Sequence, residues 1–226
     1  MFIYQKDGKL NITFDDNKPV MDPAIKLNIQ DEKLVVNDQT IDPIIAEELV
    51  ENVVLSTAEI VTAAKTVVLN GNTISLPDDT AGDGIYHVTT GGYLTIEGDG
   101  VLNSVGKNDY NMAIWADGGH VVINGGTFTN RGATATIDPA QFDLIYAKNG
   151  GIIEINGGHF DCETPKWTLN NNNTQPGKII VKGGSFVGFN PAEAYTDDLG
   201  QNIPVNYVAD GYKVTCKDGI YTVTKI

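Results

Sequence analysis

The sequence predicts an all-β protein, a single-stranded parallel β-helix of about five to six turns. Three observations lead there. A short phrase returns five times, in Val67–Ile74, Leu94–Val101, Val121–Phe128, Ile153–Phe160 and Ile179–Phe186. If Leu69, Ile96, Ile123, Ile155 and Val181 share one slot, the steps are 27, 27, 32 and 26 residues. Within each phrase apolar and polar residues alternate, as a half-buried strand requires. An Asn-Gly, Gly-Asp-Gly, Gly-Gly or related corner follows, where positive φ is tolerated. One further large apolar residue closes the phrase.

Stacking these units at about 4.8 Å puts like residues over like. Three internal columns are expected. They are Val67, Leu94, Val121, Ile153 and Ile179; then Leu69, Ile96, Ile123, Ile155 and Val181; then Ile74, Val101, Phe128, Phe160 and Phe186. The intervening residues, among them Thr95, Glu97, Asn124, Glu154 and Lys182, should face solvent.

Residues 1–42 read differently, as a β docking or oligomerisation segment. Phe2–Phe14 makes a hairpin about the turn Lys6-Asp7-Gly8-Lys9. Ile25, Leu27 and Ile29 lead to a second turn at Gln30–Lys33, then Leu34–Val36. A third turn at Asn37-Asp38 leads to Thr40-Ile41. So small a segment holds too little apolar surface to fold well alone.

The β-helix domain is placed at residues 43–226. It should open with a capping helix over 43–53, with Asp42 as cap, Pro43 at the first helical position and Ile44, Ile45, Leu49 and Val53 as its apolar stripe. Long corners are expected at 77–84, 105–111, 131–142, 164–175 and 190–204. Residues 205–226 should form a closing hairpin about Lys217-Asp218-Gly219.

The run Val53–Val61 followed by Thr66–Ile74 resembles the opening turns of the pectate-lyase-like right-handed parallel β-helices. Tyr207–Val214 with Asp218–Val223 resembles the closing segment of bacterial and phage surface members, such as head-fibre, decoration and spike proteins. The resemblance implies a right-handed coil over roughly residues 53–226. It implies little about function, because this architecture carries lyases, hydrolases, adhesins and inert spikes.

Fifteen Lys and Arg residues stand against 29 acids, a formal charge of −14. That excludes nucleic acid and anionic membrane as expected partners, since phosphates would be repelled. No segment is long and apolar enough to span a bilayer. Met1–Asp7 lacks the basic start and apolar run of an export leader. A β-helix of this kind without a leader points to a virion protein on the outer surface of a phage particle. Its partners would be capsid or fibre proteins and further copies of itself, with a trimer favoured. Cys162 and Cys216 stand far apart, and buried or free thiols are expected rather than a disulfide.

No coherent catalytic constellation emerges, and no cofactor or metal is implied. Polygalacturonase-like members carry Gly-His-Gly and Arg-x-Lys segments. Here His120 and His159 stand in Gly-Gly-His strings, and Arg131 is the sole arginine. By register, His159 shares a slot with Gly100, Thr127 and Ser185, and His120 with Tyr93, Ile152 and Lys178. The weak acid/base candidates, for a lyase or glycosidase alternative, are Asp138 and Asp143. The stronger surface feature is aromatic. Aligning Tyr86–Val88, Ile114–Ala116 and Ile145–Ala147 stacks His87, Trp115 and Tyr146 outward in one column. That column is an interface or glycan-stacking candidate, with Trp167 as a further member or as cover from a neighbouring corner. The expected function is a non-enzymatic structural protein of a tailed phage. The alternative is a β-helix that binds or degrades a host surface glycan.

Overall fold

The computed structural model describes residues 2–6, 9–13, 27–30, 33–36, 39–41, 46–76, 84–105, 112–133, 143–196 and 202–226. It divides into two compact units, Met1–Glu47 and Glu48–Ile226. In the first, Phe2–Lys6 pairs antiparallel with Lys9–Thr13, with Lys6 opposite Lys9 as the expected turn requires. Leu27–Gln30, Lys33–Val36 and Gln39–Ile41 make a three-stranded antiparallel sheet in chain order. Both hairpins fall where the sequence places them.

The strands from Ala46 onward, which take in the second unit, build a parallel β-solenoid with three long sheets. The first sheet stacks Ala46–Glu48, Ala64–Val68, Tyr93–Glu97, His120–Ile123, Ile152–Ile155 and Lys178–Val181. The second stacks Val53–Val54, Thr73–Leu76, Val101–Ser104, Thr127–Thr129, His159–Asp161 and Ser185–Val187. The third stacks Glu59–Val61, Tyr86–Thr89, Ile114–Asp117, Ile145–Lys148 and Leu169–Asn171. The coil makes about four turns, fewer than the five to six expected. The chain revisits the first sheet four times between Ala64–Val68 and Lys178–Val181, after an opening rung of short strands.

From the third rung onward the first two internal columns are those expected. Leu94, Val121, Ile153 and Ile179 pair in sequence, as do Ile96, Ile123, Ile155 and Val181. All are buried. The earliest rungs depart, for a reason written in the corners. Ile96 to inward-facing Leu102 spans six positions, against five from Ile123 to Phe128, because the corner at Gly98-Asp99-Gly100 is one residue longer than the later Gly-Gly corners. The third column therefore runs Ile74, Leu102, Phe128, Phe160, Phe186, with Leu102 in place of Val101. For the same reason Val101, not Gly100, shares the slot of Thr127, His159 and Ser185. The Val67 rung is displaced by two. Val67 opposes Ile96, Lys65 opposes Leu94, and buried Leu69 lies in the wider corner, where a Cβ on Gly100 would come within 2.5 Å of its own Cβ.

Phe128, Phe160 and Phe186 stack face to face through the core. Their centroids lie 5.0 and 4.8 Å apart and their planes within 10° and 9°. Parallel in-register strands set this spacing and leave each ring little choice of orientation. The Gly-Gly corners follow from the same close stacking. A Cβ on Gly183 would lie 2.1 Å from the carbonyl oxygen of Asn156 in the turn beneath.

The capping helix expected over 43–53 is not formed by the described residues of that span. Ala46–Glu48 and Val53–Val54 are strands, and residues 43–45 lie outside the description. The N–H of Leu49 donates to Val68 C=O at 2.9 Å, and its carbonyl accepts from Asn72 Nδ2 at 2.9 Å. The parallel ladder thus satisfies backbone groups that a helix would have paired internally, and β-branched Val53 and Val54 suit it better. Two of the expected corners also contain strands. Residues 164–175 hold a short 3₁₀ turn, Pro165–Trp167, and the fifth strand of the third sheet, while 190–204 hold Ala194–Thr196, antiparallel to Ile203–Val205.

The closing hairpin is present. Tyr212–Lys217 and Ile220–Lys225 pair antiparallel, and the second lies antiparallel on Ser185–Val187. Val181, on the last strand of the first sheet, donates to Tyr207 C=O at 2.8 Å and accepts from Ala209 N–H at 2.9 Å. The last strands of the first and second sheets are therefore paired at this end. Cys162 is buried, Cys216 is exposed, and neither is in a disulfide.

Candidate functional site

Period-2 geometry on the third sheet sends Tyr86, Ile114, Ile145 and Leu169 inward and the residues that follow them outward. The outward column reads Ile60, His87, Trp115, Tyr146, Asn170. Three of the sequence candidates, His87, Trp115 and Tyr146, are thus brought together as expected. The fourth is not in the column. Trp167 is buried at 6% exposure in the 3₁₀ turn, where its carbonyl accepts from Leu144 N–H. The position next to Tyr146 belongs to Asn170.

The column grades from open to closed. Ile60 is 60% exposed, His87, Trp115 and Tyr146 are half-buried, and Asn170 is 4% exposed. The His87 and Trp115 rings are parallel, 2° apart in plane with centroids at 3.9 Å, and Tyr146 is tilted 45° at 6.4 Å. Each stacked ring therefore covers a face of its neighbour.

A polar brace runs beside the rings. Asp117 lies two residues beyond Trp115, on the same outer face. Its Oδ2 is 3.2 Å from His87 Nε2, and its Oδ1 accepts from Asn149 Nδ2 at 2.5 Å. At the far end, Tyr146 Oη accepts from Asn172 Nδ2 at 2.7 Å. Asn172 is buried, and its Oδ1 also accepts from the Thr174 and Gln175 N–H groups. The sequence reading passed over Asp117, Asn149 and Asn172. The two-residue offset from Trp115 was the available signal for Asp117. The other two are reached only through the fold.

Of the weak acid/base candidates, Asp138 lies outside the described residues. Asp143 is half-buried at the entry to the third sheet, just before buried Leu144. Nearby Cys162 is the most perturbed thiol. Burial pushes it up to about 12, helped by the negative charge of Asp143. Such a thiol stays protonated and is a poor nucleophile. Burial likewise pushes up the Tyr207 phenol.

The two other histidines sit in outward ladders. His120 pairs in register with Tyr93 and Ile152, and its Nε2 is 3.4 Å from Glu154. Glu154 also accepts from Lys182 Nζ at 2.7 Å, and that bond holds its carboxyl below the usual range. His159 Nδ1 is 2.8 Å from Ser185 Oγ. Arg131 donates through Nε and Nη2 to Asp161 Oδ1 at 2.8 and 2.7 Å. Lys166 Nζ lies 4.4 Å from the Trp167 ring centroid and 5.6 Å from that of Tyr195, and donates to Asn202 Oδ1. Among the described residues no group of three His, Cys, Asp or Glu side chains is placed to hold a metal ion.

Two open clefts lie at the C-terminal cap. One, of about 390 Å³, is walled by Glu193, Tyr195, Pro204 and Asn206. The other, of about 430 Å³, is walled by Asn190, Asn206, Asp210 and Tyr212.

Comparison of the chain with protein-family models, with curated proteins and with solved structures finds no match. The solenoid assignment stands on strand order and register.

Proposed function

We propose that this protein is a structural virion protein of a tailed bacteriophage. It would be a head fibre, capsid decoration or spike component that attaches through its amino-terminal end and projects its coil outward. The observation that carries this reading is the apolar surface exposed on the opening rung. At the C-terminal end the last strands of two sheets are paired, Val181 with Tyr207 and Ala209 and Ser185–Val187 with the hairpin. The opening rung instead leaves Val50, Val54 and Ile60 at 91, 69 and 60% exposure. Exposed apolar side chains clustered on one rung favour attachment to another surface. The charge of −14 suits a body that projects into water without adhering to phosphate.

The test is location. Mass spectrometry and immunogold labelling of purified virions of the encoding phage should find the protein on the particle surface. Its absence from the particle ends this reading. Light scattering of the isolated protein should give a closed oligomer if it is a fibre, with a trimer favoured.

A second reading, binding of a host surface glycan, draws on the His87–Trp115–Tyr146 column. Glycan-array binding that is lost in Trp115→Ala, without turnover of the bound glycan, would favour it. Release of reducing or unsaturated sugar, lost when Asp138 and Asp143 are replaced, would favour the glycan-degrading form.

A further inference from the structure

We draw no further inference here: the strongest candidate, the pair of open clefts at the C-terminal cap that share Ala192 and Asn206, has its carboxylates Glu193 and Asp210 exposed, and nothing in the structure shows what fills it.

Discussion

Replacing Phe160 by alanine tests the core argument most directly. Phe160 is fully buried and is the middle ring of three, with stacked neighbours on both sides at 5.0 and 4.8 Å. Truncating a buried phenylalanine costs about 3–5 kcal/mol. The cost here belongs in the upper half of that range, because the ladders above and below prevent the cavity from collapsing. Phe128 is stacked on one side only, so Phe128→Ala should cost less by roughly one ring contact, about 1 kcal/mol. Phe160→Leu keeps most of the volume and should cost about 1.5 kcal/mol. The assay is urea unfolding followed by far-UV circular dichroism, with the midpoint compared at unchanged slope. For a chain of this size, about 4.5 kcal/mol corresponds to a fall in Tm of roughly 9–18 °C. The reasoning is refuted if Phe160→Ala lies within about 1 kcal/mol of the parent. It is also refuted if Phe128→Ala proves the more damaging.

Gly183→Ala should destabilise by about 3 kcal/mol, because its Cβ would enter the Asn156 carbonyl at 2.1 Å. Gly71→Ala, at φ +75° with open space around it, should lose only about 1 kcal/mol; equal losses by thermal melting would contradict the close-approach account. Ellman's reagent should titrate one thiol, Cys216, in the native protein and two after denaturation. A native count of two would place Cys162 in solvent. The Cys162 pKa is raised on folding from 9.0 to about 12, so its contribution is complete below pH 9 and is lost as pH rises towards the folded value. Stability should then fall by about 1.4 kcal/mol per pH unit in that window, and Cys162→Ala should lack this component. Removing residues 210–226 should leave Ser185–Val187 unpaired and drive aggregation, visible by size-exclusion chromatography; a stable unaggregated species would show that the hairpin is not needed as a cap.

The aromatic column was legible because alternation fixes the face of every strand residue. Once Tyr86, Ile114 and Ile145 are turned inward, His87, Trp115 and Tyr146 have no other side to occupy. Trp167 was not placed, because its 3₁₀ turn breaks that alternation and only the register of Leu169 against Ile145 shows where it stands. The polar brace through Asn149 and Asn172 joins residues 32 and 26 positions from their partners. No local pattern announces contacts made across successive turns of the coil.

The sequence by itself determined the repeating unit, the two N-terminal hairpins, the phenylalanine ridge and the closing hairpin. These follow from period-2 alternation and turn chemistry, which act over a few residues. Only the tertiary structure decided that Leu102 rather than Val101 faces inward, and that Ala46–Glu48 and Val53–Val54 are strands. Corner length sets the first, since one extra residue in a bend flips the strand that follows it. The second depends on a ladder partner, Val68, that lies 19 residues further along the chain. Backbone hydrogen bonds to a neighbouring turn outweigh a local preference for helix, and that competition is resolved only when the turns have met.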